Sequence, residues 1–243
     1  MSLNVSLASD QNIARTRAAG AAIALATIVS TVFVAMDRSG GGSNPLEILQ
    51  GISRLQVLKE VVHGVAIASV CAYAFGYAAL ARRLGLQRPL VLAGLVAYLI
   101  GCIAMVGATM LDGFITPHLA TDALSATPDG VLFAYRLVHE LGIMLNDLAK
   151  LGWILQAVGA LLWSCVLLRN QGIARAVGVM GLLSSGLVVA LIAGSATNMT
   201  MTSLLAVLFA QLLWNLAAAF WLVRSTPGDT TRHADFRTNV VAG

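Results

Sequence analysis

The chain has 243 residues, of which 58% are hydrophobic and 11% charged, with a formal net charge of +4. Soluble domains are about a quarter charged, so a chain with a mean hydropathy of +0.83 has too little polar side chain for a water-exposed surface, and its main solvent must be lipid. The basic residues are not clustered among aromatics, which excludes a nucleic-acid partner.

The segment 1–17 carries Arg15 and Arg17 and leads into the first apolar stretch, Ala18–Met36. That stretch is long for a cleaved signal, and Phe33-Val34-Ala35 is a poor processing site, so it is read as a retained anchor. In the loop 37–60, Ser43-Asn44-Pro45-Leu46-Glu47 predicts a helix start: an Asn cap, a Pro in the first turn and a Glu at the third position. The second stretch, Val61–Ala81, contains His63, the one group in any of these stretches that titrates near neutral pH. Glu60 precedes it by three residues, the Glu-x-x-His spacing of di-iron bundles, although a bridged metal pair needs two such motifs and one is found.

Pro89–Leu111 is the third stretch and carries no charge. It ends in Leu111-Asp112-Gly-Phe-Ile-Thr-Pro117-His118, where Pro117 is expected to stop the helix. Beyond it, Ala126-Thr127-Pro128-Asp129 predicts another helix start, and no strong breaker follows before Leu168. Such a helix is about twice as long as the ~30 Å hydrocarbon core is thick, so its first half must protrude, or lie along the interface and bend at Gly142. Arg136, His139, Glu140, Asn146, Asp147 and Lys150 recur at helical spacing along it, the pattern of an amphipathic helix. Leu151–Leu168, Ala176–Ala193 and Leu204–Val223 complete six spans, and the turn between the last two contains Asn198-Met-Thr-Met201. Residues 224–243 read as a flexible cytoplasmic tail.

The fold class is therefore all-α: a polytopic membrane helix bundle of six transmembrane helices (domain 18–223), with amphipathic helical extensions on the extracytoplasmic side. Basic residues set the orientation. Arg82, Arg83, Arg88, Arg169, Arg175 and Arg224 fall on the side of the N-terminal segment, while most acids, Asp37, Glu47, Glu60 and Asp112 among them, fall on the other. This predicts a multi-pass inner-membrane protein with both termini cytoplasmic.

His63, Asp112, His118 and His139 come from separate segments at one predicted depth, the outer end. Neutral imidazoles with a carboxylate suit a transition metal, copper or iron, or a haem, so these four are the candidate ligands of a membrane metalloprotein with a redox role. Glu60, Glu140, Asp147, Met199 and Met201 are secondary candidates, the thioethers favouring Cu(I). Interface histidines are also commonplace, but an ionisable group inside an apolar run usually pairs or serves a function. Gln156, Gln211 and Asn215 are polar residues of the membrane interior, expected to join helices or, in an alternative reading, to line the route of a small-solute permease or channel. A third reading is a non-catalytic subunit of a membrane complex. The expected partners are the bilayer, further copies or other chains in the membrane, and a small lipophilic or periplasmic substrate. Cys71, Cys102 and Cys165 read as small packing residues. Ala93-x-x-x-Ala97-x-x-x-Gly101 reads as a stripe of small residues for helix packing.

Overall fold

A computed structural model describes residues 2–37, 40–194 and 201–224, and among them every regular element is helical. In chain order these are α1 (Ser2–Met36), α2 (Pro45–Arg54), α3 (Gln56–Leu84), α4 (Pro89–Met110), α5 (Thr116–Ala123), α6 (Pro128–Leu167), α7 (Ile173–Gly194) and α8 (Met201–Val223). Six helical stretches are long and apolar enough to cross a membrane, as the sequence predicts. Ile103, Leu183 and Phe209 are 72%, 67% and 61% exposed. Large apolar side chains turned outward along the spans are what a lipid solvent requires.

The spanning helices form a closed ring in the order α1, α3, α4, α6, α7, α8 and back to α1. Its centre is filled by buried aromatics, one or more from each of α3, α4, α6 and α8. The Tyr77 ring lies 4.4 Å from that of Tyr98, 5.3 Å from Trp163 and 6.2 Å from Trp214. Trp163 Nε1 donates to Val91 O at 3.2 Å, and Tyr77 Oη donates to Asn215 Oδ1 at 2.6 Å. The polar tips of Trp163 and Tyr77 are thus satisfied inside hydrocarbon, where an unpaired group would be costly.

Close approach of α4 and α6 uses Gly101 of the predicted stripe but not Ala93. Ala93 is exposed, and Gly94 joins Gly101 on the face turned to α6. A Cβ on Gly94 would meet Trp163 Nε1 at 2.8 Å, and one on Gly101 would meet Gly152 O at 2.8 Å. Seven-residue spacing, with Tyr98 between the two glycines, replaces four-residue spacing.

Both predicted helix starts are present. Asn44 Oδ1 accepts from Glu47 N at 3.0 Å, and Glu47 Oε2 accepts from Ser43 N at 2.8 Å. Thr127 Oγ1 accepts from Gly130 N at 3.4 Å at the head of α6. From there α6 runs 40 residues without a break at Gly142, about 60 Å at 1.5 Å per residue. Its first half protrudes from the ring and builds a small second core. Leu49 and Ile52 of α2, Ala120 and Ala123 of α5 and Ala134 of α6 are buried together there, with Val131, Tyr135 and Val138 against them.

Pro117 does not stop its helix. α4 continues through one wide π turn, Leu111–Ile115, into α5, and Thr116 N reaches back to Leu111 O. A proline in a helix removes one N–H and crowds the carbonyl a turn earlier; widening the turn just ahead of it makes room for the ring, and α5 resumes with Pro117 in its first turn. Single π turns of this kind occur often at functional sites.

Candidate functional site

The π turn places Asp112 against α3. His63 lies about 31 Å along α3 from Leu84, and Asp112 about 34 Å from Pro89, at 1.5 Å per residue, so both sit at the edge of a ~30 Å hydrocarbon layer. His63 Nε2 is 3.0 Å from Asp112 Oδ2. Lys59 Nζ donates to Asp112 Oδ1 at 2.8 Å and lies 3.6 Å from Asp37 Oδ1 at the end of α1. Three helices are thereby tied by one ionic cluster. The Lys59 and His63 side chains are 8% and 11% exposed, against 30% for Asp112 and 32% for Asp37. Lys59 and His63 are the buried members, and the carboxylates reach them from the rim.

Two backbone features make this geometry. Lys59 and His63 are four residues apart and share one face of α3. His63 Nδ1 lies 2.8 Å from Lys59 O, and a carbonyl can only accept, so Nδ1 carries a proton. On the other side, a Cβ at Gly113 would collide with His63 Cβ and lie 2.6 Å from its Cγ. Only a residue without a side chain lets the π turn pass this close to the imidazole.

A second polar group adjoins the first on the rim. Gln56 Nε2 donates to Glu60 Oε1 at 2.9 Å and lies 3.0 Å from His118 Nδ1. Thr121 Oγ1 donates to Gln56 Oε1 at 2.7 Å and makes a 2.9 Å contact with Ser53 Oγ. His118 is 61% exposed. Glu60 therefore turns to His118 and His63 turns to Asp112; the Glu-x-x-His pair is divided between two neighbouring groups.

Among the described residues, Asp37, His63 and Asp112 form the one group of three side chains able to hold a metal ion, with ligand atoms all within 4.8 Å of one another. His118 and His139 are not members. His139, Glu140 and Asp147 are exposed on α6, as is Arg136, while Asn146 and Lys150 are half-buried. Leu132, Phe133, Leu137, Ile143 and Met144 are exposed on the same helix, so polar and apolar residues share its outward surface. Met199 and His233 lie outside the described residues, as does the Met201 side chain. Sequence reasoning missed Lys59 and Asp37. The signal for Lys59 was its four-residue spacing from His63; Asp37 carried none beyond its place at the end of a span.

The interior amides do not line one route. Gln156 Nε2 lies 3.8 Å from Cys102 Sγ, and Asn215 is bound to Tyr77. Gln211 borders a crevice between α6, α7 and α8, narrower than a water molecule, lined also by Ser184, Ser185 and Trp214. Ser185 Oγ and Trp214 Nε1 have no hydrogen-bond partner there. Cys102 is buried, and Cys71 and Cys165 are exposed thiols.

What the described residues establish is a helical chain with six membrane-spanning segments and an Asp/His/Asp cluster, with lipid as its surroundings. Compared with known protein families, with characterised proteins and with solved structures, the chain has no match.

Proposed function

We propose that this is a proton-coupled membrane protein whose working part is the Asp37–Lys59–His63–Asp112 cluster. One observation carries the reading. His63 Nδ1 is committed to Lys59 O, so at 3.0 Å the Nε2 lone pair would oppose an acceptor oxygen of Asp112 unless a proton lies between them. With that proton, the imidazolium and the Lys59 ammonium balance the two carboxylates, and the cluster is neutral at the membrane boundary, where net charge is costly. Without it, the contact between α3 and the π turn becomes repulsive. Loading and unloading one proton therefore makes and breaks a tie between spanning helices. Gln56, Glu60 and His118 provide polar groups between the cluster and water. We place this end of the ring on the extracytoplasmic side, because the arginine-rich turns lie at the other.

A second reading rests on spacing. A separation of 3.0 Å between Nε2 and Oδ2 is the edge of a coordination polyhedron with bonds of about 2.1 Å, and an Nδ1–H donated to a carbonyl is the usual orienting contact of a metal-bound histidine. Asp37, His63 and Asp112 would hold a copper or iron ion. The Lys59 ammonium on the same carboxylates opposes a dication there and ranks this reading second.

Nitrogen NMR of histidine-labelled protein in lipid, paired with elemental analysis, tests both. Proton coupling expects a metal-free protein with both His63 ring nitrogens protonated at neutral pH, converting to one neutral tautomer in D112N. It also expects proton uptake by proteoliposomes that H63Q reduces at least tenfold. A neutral His63 in the wild type sinks the proton reading; stoichiometric metal lost in H63Q establishes the second.

A further inference from the structure

At the opposite end of the ring, the turn between α3 and α4 and the turn between α6 and α7 enclose a cavity of about 470 Å³. Arg88, Pro89, Leu90, Val166, Arg169 and Asn170 line it. Arg88 and Arg169 come from different turns, are exposed, and take part in no ion pair among the described residues. Two cations lining one cavity repel one another, so the arrangement is electrostatically incomplete without an anion.

The rest of the lining contains no acidic side chain. Of the carbonyls ending α6, Val166 O accepts from Arg169 N at 3.3 Å and from Asn170 Nδ2 at 3.2 Å, and Leu167 O accepts from Asn170 N at 3.0 Å. The other wall is the start of α4, whose dipole presents its positive end. Leu90 and Val166 contribute an apolar part beneath the guanidinium groups. Pro89 begins a spanning helix, so the cavity lies at the depth where hydrocarbon meets headgroups.

We infer that this cavity is a binding site for a phosphate-bearing anion, supplied by the headgroup of an anionic phospholipid. Guanidinium groups suit phosphate oxygens through paired N–H donors. Basic pockets between spanning helices are a setting in which lipid headgroups bind. The apolar part of the lining meets the glycerol and upper acyl chain, which a free phosphate ion lacks.

Native mass spectrometry of the purified full-length chain tests the site. The protein is titrated in detergent with phosphatidylglycerol, with phosphatidylcholine and, separately, with inorganic phosphate. One phosphatidylglycerol is expected to bind about tenfold more tightly than phosphatidylcholine, a difference of about 1.4 kcal/mol. R88Q/R169Q loses that preference, R175Q at the same end keeps it, and R88K/R169K retains part of it. Both arginines are exposed, so the substitutions leave packing intact; should the double variant unfold, R169Q alone serves. Inorganic phosphate binding through both arginines, without phosphatidylglycerol binding, would keep the phosphate site and overturn the lipid as its source. Equal binding of the two lipids by the wild type, or an unchanged preference in R88Q/R169Q, overturns the proposal.

Discussion

Gly113 shows how much of the ionic cluster depends on a missing side chain. His63 is anchored through its backbone to α3, so its Cβ cannot retreat from a methyl group placed on the π turn. G113A must push α3 and the turn apart, which lengthens the His63–Asp112 contact and overpacks the boundary. The expected cost is about 1–3 kcal/mol, read as a lowered midpoint of helix loss in detergent. Loss of the imidazolium signal of His63 should accompany it. An unchanged midpoint with an unchanged signal would mean that the two segments are not in contact. At this scale the sequence was partly legible. His63 stood out as an ionisable residue in an apolar run, and Asp112 as the acid ending another, and the two are partners. Lys59 and Asp37 were not legible as members, because helix rotation decides which of several boundary charges face inward, and apolar patterning fixes rotation poorly when lipid and core are both greasy.

Element ends were easier to read than element breaks. The Asn44 and Thr127 starts rest on local hydrogen bonds that neighbouring residues dictate, whereas the continuation past Pro117 depends on a wide turn that the residue types do not announce. Glu47 allows a pH test of one such start. The backbone N–H of Ser43 above all, with further bonds to Ser43 and Asn44, holds its carboxyl below the usual range. A depressed carboxyl contributes stability above its unfolded value near 4.5, and the contribution fades as pH falls through the lower folded value. Protection of the α2 amides, taken as exchange relative to the intrinsic rate at each pH, should therefore fall as the medium is acidified below about pH 4. E47Q should exchange faster at neutral pH and show no such acid dependence; identical profiles for the two proteins would remove Glu47 from the cap.

For the whole molecule, composition pointed to lipid as the solvent, and the six helices long and apolar enough to cross it were legible as apolar stretches, since bilayer thickness leaves little choice of segment length. The order of helices around the ring was not available from the chain, nor was the aromatic centre, because Tyr77, Tyr98, Trp163 and Trp214 come from four separate spans. W163A tests that centre. It removes the ring stacked on Tyr77 and leaves Val91 O without its donor, for an expected loss of about 3–5 kcal/mol. Unfolding followed by helix content in a denaturing detergent would measure it, with W163F recovering part of the loss. A variant as stable as the wild type would show that the ring does not close around these side chains.

The 40-residue α6 belongs to both packed units at once. A straight rod of about 60 Å, tilted by about 5° around its middle, swings each tip roughly 2.6 Å in opposite directions. Arg169 follows its tail and its head supports α2 and α5, so such a tilt would act at both ends as on a see-saw. A tilt of this helix would therefore move the arginine cavity and the protruding helices together.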